Sequence, residues 1–315
     1  MLQHELESVA ARHVPGEGKV SIRQLSQGLV NETFRVLRDG RAYALRVAGA
    51  DRISLGLDRA WEARVLERAV PAGLAPVLEY CDPQRGILIS RWVEGRPWDP
   101  ADAREPSNIA RIGELVRRIQ ALPLPVPARL MSPLQWIDHY LGAAAQSGGT
   151  RVSGTAAART AAAGEVAVDP AGAAILRSAA SLRLTQLAEL PAVDSVMCHS
   201  DLHTLNLIDG GHALVLLDWE YAHAADPLWD LAGWSANNDF DDGLRHRLLA
   251  SYAGRPATPH EDRRLHLLAW LYDYVCLLWC DLYLNLHGGA VQDSVAARAR
   301  KLAARLIADA SSRAP

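Results

Sequence analysis

Polar and apolar residues alternate from Lys19 to Leu25, from Thr33 to Leu37 and from Tyr43 to Val47. A period of two belongs to a strand with one buried face, so these stretches predict three strands. Gly28-Leu29-Val30-Asn31 and Arg38-Asp39-Gly40 lie between them and read as turns, which makes a β-meander. From Leu57 to Ala69 the period lengthens to that of a helix, punctuated by Pro71 and Gly73. Leu74–Tyr80 and Gly86–Val93 predict two more strands on either side of the turn Asp82-Pro83-Gln84-Arg85.

After Gly95 the pattern turns helical. Ile109–Leu122 and Pro133–Ala145 are amphipathic and are separated by Pro123-Leu-Pro-Val-Pro127. Residues 142–181 are dominated by Ala, Gly, Ser and Thr, a composition that suits either a flexible insert or small-residue helices packed closely. From about His260 to Ala310 two strong helical patterns are broken at His287-Gly288-Gly289. The pattern predicts an α+β chain with two lobes: an antiparallel sheet with one helix over residues 1–94, and a larger, mainly helical lobe over 95–315.

Composition narrows the partners more than the fold. With 49% hydrophobic and 22% charged residues in 315, disorder and fibrous architectures are excluded. A net charge of −3 gives no general pull toward nucleic acid or anionic lipid, so neither is an expected partner and any anionic ligand must be held locally. Only Lys19 and Lys301 are lysines, so a cation needed for chemistry will be an arginine. The N-terminus lacks the basic and apolar regions of a signal peptide, no apolar run is read as spanning a membrane, and four scattered cysteines do not form a disulfide framework. The expected compartment is therefore the cytoplasm. Cys276 and Cys280 lie one helical turn apart without further ligands at zinc-site spacing, and read as small buried residues on one helix face.

The sharpest chemical signal is Val196-Met-Cys-His199-Ser-Asp201-Leu-His203-Thr-Leu-Asn206-Leu-Ile208, followed by Ala213-Leu-Val-Leu-Leu-Asp218-Trp219-Glu220. Two apolar strands bracket a polar turn. Asp201 and Asn206 lie in that turn and Asp218 ends the next strand, so three oxygen-bearing side chains converge. Phosphoryl transfer needs such a convergence, because magnesium takes oxygen ligands and the acceptor hydroxyl needs a carboxylate to orient it and take its proton.

The order Asp, four residues, Asn, then a strand ending in Asp is that of the protein-kinase catalytic loop and its magnesium aspartate, with Trp219-Glu220 in place of Phe-Gly. The block resembles the aminoglycoside phosphotransferase and choline kinase superfamily, and within it the choline, ethanolamine and thiamine kinase branch. There it reads His-x-Asp-x-x-x-x-Asn, Asp-Trp-Glu-Tyr and then Asp-Leu-Ala, matched here by His199–Asn206, Asp218–Tyr221 and Asp230-Leu231-Ala232. The resemblance implies a protein-kinase-like bilobal fold, ATP as phosphoryl donor and Mg2+ as cofactor. It implies that Asp201 is the catalytic base, that Asn206 and Asp218 are magnesium ligands, and that Glu220 is a further acid on the metal or acceptor side. His199 resembles the histidine that supports the catalytic loop, and Asp230 the carboxylate that buttresses it.

The hairpin loop from Ser26 to Phe34, with Gly28 and Asn31, resembles the Gly-x-x-Asn-x-x-aromatic phosphate loop of the superfamily. Arg46 stands where most kinases have lysine, with Glu62 as its partner and Glu67 as the alternative. Arg91, Trp92 and Val93 resemble the hinge whose backbone meets adenine. Acceptors in this branch are choline, ethanolamine and thiamine, each a primary alcohol with a cationic centre, which aromatic faces attract. Trp219 beside Glu220, and Trp270, Tyr274 and Trp279 on the late helix, are the candidate acceptor contacts. Two other readings stay open: phosphorylation of an aminoglycoside or other sugar hydroxyl, and a nucleotide-binding regulatory module without transfer. Protein kinase activity is disfavoured, since no Asp-Phe-Gly and Ala-Pro-Glu pair frames an activation loop.

Overall fold

The structure, a computed structural model, describes residues 3–27, 29–49, 53–149, 168–287 and 293–312. The alternating stretches become β1 (Ser21–Gln27), β2 (Asn31–Arg38), β3 (Arg41–Ala48), β4 (Leu78–Asp82) and β5 (Ile87–Arg91). They form an antiparallel sheet in the order β1-β2-β3-β5-β4. On β3 the pleat sends Tyr43, Leu45 and Val47 to one face and leaves Ala44 and Arg46 on the other. A helix that the pattern does not announce, α1 (Gln3–His13), packs Leu6, Val9 and Ala10 onto the first face. The opposite face roofs a cleft.

The helix predicted over Leu57–Ala69 is α2 (Arg59–Ala69), started by the Asp58 carboxylate, which accepts from the Trp61 N–H at 2.9 Å. Its apolar stripe, Trp61, Val65, Leu66 and Ala69, joins the core of the second lobe rather than the cluster under α1. The Trp61 indole also donates to the Ala222 carbonyl at 2.7 Å. The first lobe's catalytic-side helix is thus fixed to the second lobe. Of the predicted strand Leu74–Tyr80, only the end from Leu78 pairs in the sheet. Pro76 has no N–H for a ladder, and the Leu74 carbonyl accepts instead from Leu216 of the second lobe at 2.8 Å.

The second lobe contains β6 (Arg96–Pro97), α3 (Pro106–Gln120), α4 (Pro133–Gly149) and α5 (Pro170–Ala188). Then come β7 (Val196–Cys198), β8 (Leu207–Asp209), β9 (Leu214–Leu216), β10 (His223–Ala225), α6 (Trp229–Asn237) and α7 (Asp242–Ala253). The chain closes with α8 (Pro259–His287) and α9 (Asp293–Ser312). The small-residue region is helical at both described ends, in α4 and α5, while 150–167 lie outside the described residues. α6 escaped the pattern because all its residues from Trp229 to Ala236 are buried, which erases the amphipathic period.

α8 is the hub, packed against α4, α5, α6 and α9. Contrary to the sequence reading, it is long and apolar enough to cross a membrane; 67% of that stretch is buried inside the protein, as befits a core helix. α6 approaches it closely because residue 233 is glycine: a Cβ there would meet the Tyr272 ring at 2.8 Å. The polar stretch at 237–242 is anchored, with Asp239 paired to Lys301 and Arg305 at 2.7 Å each.

Candidate active site

The loop between β7 and β8 is held from below by α6. Asp230 in its first turn accepts from the backbone N–H groups of His199 at 2.8 Å and Ser200 at 2.7 Å. Ser200 adopts a positive φ of 69°, a bend that those two bonds fix. Burial drives the Asp230 carboxyl up to about 6, against the pull of the two amides. His199 is fully buried, with its Nε2 2.9 Å from the Leu217 carbonyl and its ring edge on Trp219 at 4.8 Å. Burial pushes it down to about 4, so it is a neutral donor to that carbonyl at pH 7.

This scaffold brings Asp201, Asn206 and Asp218 to one wall. Asn206 donates its side-chain amide to the Asp201 backbone carbonyl at 3.0 Å and to Asp201 Oδ2 at 2.9 Å, while its backbone carbonyl accepts from the Leu217 N–H at 2.8 Å. Asp218 follows in the left-handed region, φ 57° and ψ 69°, which turns its carboxylate off the strand direction and into the cleft. His203 lies 3.4 Å from Asp201. Burial alone would raise the Asp201 carboxyl, but the charge and hydrogen bond of His203 outweigh it and hold Asp201 well below the usual carboxylate range. The His203 imidazole is raised in return, again against burial.

Arg46 reaches across from the roof. It donates to Glu62 on α2 at 2.6 Å and to Asp218 at 2.5 Å, so Glu62 and not the exposed Glu67 is its partner. Burial would raise Glu62, yet Arg46 and Arg59 bring it below its ordinary value. Asn31 donates to Glu220 at 2.8 Å. Burial and then Glu220 push the Asp218 carboxyl up to about 7 despite Arg46. A divalent cation would relieve that crowding. Asn206 uses its amide N–H on Asp201, leaving its carbonyl oxygen as a ligand atom, and an oxygen pair of this kind suits Mg2+. Among the described residues no group of three His, Cys, Asp or Glu side chains could hold a metal alone, so a Mg2+ ion here would need further oxygen ligands from outside the protein.

Asn31, Arg46, Glu62, Asp201, His203, Asn206, Asp218 and Glu220 open onto one cavity of about 570 Å³. Thr33, Ala44, Leu88 and Ser90 form its roof side, and Trp136, Tyr140, Tyr221, Tyr272 and Trp279 form an aromatic chamber on the side of α4 and α8. The Trp279 indole donates to the Tyr221 hydroxyl at 2.8 Å, and Asn237 donates to the Tyr272 hydroxyl at 3.3 Å.

Residues 21–266 match the model of a phosphotransferase enzyme family. The chain belongs to that family. Among solved structures, this phosphotransferase is similar to a choline/ethanolamine kinase family protein from Mesorhizobium loti: TM-score 0.73, 26% identity, over 100% of this chain and 96% of that one. Choline kinase LicA from Streptococcus pneumoniae matches at TM-score 0.73 and 20% identity, over 98% of this chain and 99% of LicA, which has also been solved with AMP. Macrolide 2'-phosphotransferase MphH from Brachybacterium faecium follows at TM-score 0.60 and 19%, over 96% and 97%. No curated protein sequence matches the chain. The expected kinase-like bilobal fold and superfamily are those found.

Several anticipated contacts of the phosphotransferase fall elsewhere. Gly28 lies outside the described residues. Arg91 points outward and pairs with Glu79 at 2.6 Å, and Trp92 ties back to the Ala42 carbonyl at 3.1 Å under the Arg35 guanidinium. The cavity wall at this strand is Ser90, one residue before the predicted hinge of Arg91, Trp92 and Val93. Trp219 does reach the cavity wall, but it is only 1% exposed and its indole donates to the Leu216 carbonyl at 3.1 Å. Trp270 and Tyr274 do not line the chamber; Trp270 lies under Arg183 at 4.1 Å. Helical spacing explains this. Tyr272, Cys276 and Trp279 form the cleft face of α8, and positions two residues away are rotated about 200° from it.

Sequence reading missed Arg59, His203, Trp136, Tyr140, Tyr221 and Tyr272. Tyr221 was within the quoted Asp-Trp-Glu-Tyr, and Arg59 was visible as an i,i+3 partner of Glu62. His203 lay inside the quoted His199–Asn206 block, whereas Trp136, Tyr140 and Tyr272 carry no local signal. Behind the chamber, buried His223 holds the Tyr221 carbonyl at 2.8 Å and faces the Trp136 indole N–H at 3.4 Å. Burial pushes His223 down to about 4, from an unfolded value near 6.5. The unfolded chain therefore binds the extra proton, and stability falls as pH drops from 6.5 toward 4, by about 2–3 kcal/mol from this residue. Chemical denaturation across that window should lose about one proton's worth of slope in His223→Gln; an unchanged slope would contradict the assignment.

Proposed function

We propose that this phosphotransferase moves the γ-phosphate of ATP onto the hydroxyl of a small molecule seated in the aromatic chamber. The carrying observation is that Asp201, Asn206, Asp218 and Arg46 open onto the same cavity as that chamber. Residues 1–94 then hold the nucleotide, and 95–315 supply the base and the acceptor site. Arg46 grips donor phosphates with its planar fork. Asn206 and Asp218 hold Mg2+, which when bound neutralises charge on those phosphates. Asp201 is ionised at neutral pH and oriented by Asn206, so it can align the acceptor hydroxyl and take its proton as the oxygen attacks. The rest of the catalytic effect is positioning.

For the acceptor we favour a small cationic alcohol such as choline, ethanolamine or thiamine. Each cation–aromatic contact is worth about 0.5–2 kcal/mol, and the chamber offers several faces beside the Asp201 carboxylate. The choline and ethanolamine kinases among the similar structures support this class, and the macrolide phosphotransferase makes sugar hydroxyls the competing one. A coupled ADP-release assay with choline, ethanolamine, thiamine and aminoglycosides separates them, with turnover expected on at least one cationic alcohol. Turnover on aminoglycosides alone would move the acceptor class. Tight ATP binding with no ADP release on the whole panel would sink the transfer reading.

A further inference from the structure

Pairing Arg46 with Glu62 leaves one buried carboxylate without a cation. The Glu62 and Glu220 side chains are only 3% and 4% exposed, and an ionised carboxylate at that depth needs a charge partner. Arg46 lies 2.6 Å from Glu62 and 2.5 Å from Asp218, but 3.9 Å from Glu220. One guanidinium cannot serve all three.

Arg59, the first residue of α2, closes the arrangement. Its Nη1 donates to Glu220 at 2.6 Å and to Glu62 at 2.8 Å, and its Nη2 donates to Asn31 Oδ1 at 2.6 Å. Asn31 donates back to Glu220 at 2.8 Å. Arg59, Asn31 and Glu220 therefore form a closed ring that joins β2 and α2 to the segment carrying Asp218. The Arg59 side chain is 5% exposed and does not line the cavity, so it cannot touch substrate. Arg46 retains an Nε–H with no partner in the protein.

We propose that Arg59 is a positioning residue for phosphoryl transfer: by neutralising Glu220 and sharing Glu62, it keeps Arg46 available to the donor phosphates and holds Asp218-Trp219-Glu220 in register with the first lobe. The proposal rests on the kinase reading. It also removes Glu220 from the acceptor contacts, since its carboxylate is committed to Arg59 and Asn31. Without Arg59, the nearest cation to Glu220 is Arg46, which would be drawn off the phosphate site.

The test compares Arg59→Met, Arg59→Lys, Glu220→Gln and the double variant Arg59→Met/Glu220→Gln. Calorimetry gives the Kd for ATP with and without Mg2+, steady-state assays give kcat and the KM for ATP, and thermal unfolding gives Tm. Arg59→Met should raise the Kd and KM for ATP by about tenfold or more, with Arg59→Lys intermediate. The double variant should regain most of the affinity, because no carboxylate is orphaned in it. Wild-type Kd, KM and kcat in Arg59→Met, with only Tm lowered, would overturn the proposal. Should Arg59→Met fail to fold, the double variant is judged against Glu220→Gln alone: matching affinities support the proposal, and a further tenfold loss overturns it. A wild-type chain that binds no ATP overturns both this proposal and the kinase reading, whereas a failure confined to the variants overturns this one only.

Discussion

Asp201→Asn should lower kcat by about 10³-fold while the Kd for ATP stays near the wild-type value. The substitution keeps the shape of the side chain, and an amide oxygen at position 201 can still accept from Asn206, whose bond to the Asp201 backbone carbonyl is untouched. What disappears is the negative charge proposed to align the acceptor hydroxyl and receive its proton. Asp201 is suited to that work by its surroundings: His203 and Asn206 hold it in one orientation, and it stays ionised across the physiological range. Turnover within tenfold of wild type in a variant that binds ATP normally would reject Asp201 as the base.

The parts of this site that were legible in the sequence share one property: their geometry is set by neighbours in the chain. The loop from His199 to Asn206 and the strand ending at Asp218 are local, so spacing alone placed their side chains together. Alternation along β3 likewise put Arg46 opposite the buried Tyr43, Leu45 and Val47. The aromatic chamber is different. Trp136 comes from α4, Tyr221 from the turn after Asp218 and Tyr272 from α8, and only tertiary packing decides which face of α8 meets them. A helix buried on most of its circumference has no polar face to betray its orientation, which is why Trp270 and Tyr274 looked as eligible as Trp279. Arg59 was hidden for a related reason. Its i,i+3 link to Glu62 reads as an ordinary helix pair, and its more telling partner, Glu220, lies 161 residues away.

Asp218→Asn should be nearly as damaging to turnover as loss of the base, but through a different measurement. Asn tolerates the left-handed backbone that position 218 adopts, so the turn should survive. The variant loses the Asp218 carboxylate proposed for the magnesium site, worth about 4 kcal/mol or about 10³-fold in kcat. Nucleotide binding should then lose its dependence on Mg2+. Binding in the presence of a chelator should instead hold or tighten, since Arg46 no longer shares its Nη1 with a carboxylate at 2.5 Å. Stability should not fall. The wild-type site keeps Asp218, Glu220 and Glu62 close together around two guanidinium groups, an arrangement with more carboxylates than cations. Replacing one of the three with a neutral amide removes repulsion without leaving a cation alone, because Arg46 keeps its paired bonds to Glu62 at 2.6 Å. An Asp218→Asn protein that still binds ATP more tightly with Mg2+ than without it would place the metal elsewhere. One that melts well below wild type would show that Asp218 holds the lobes together, a task this geometry assigns instead to Trp61, Arg59 and Glu220.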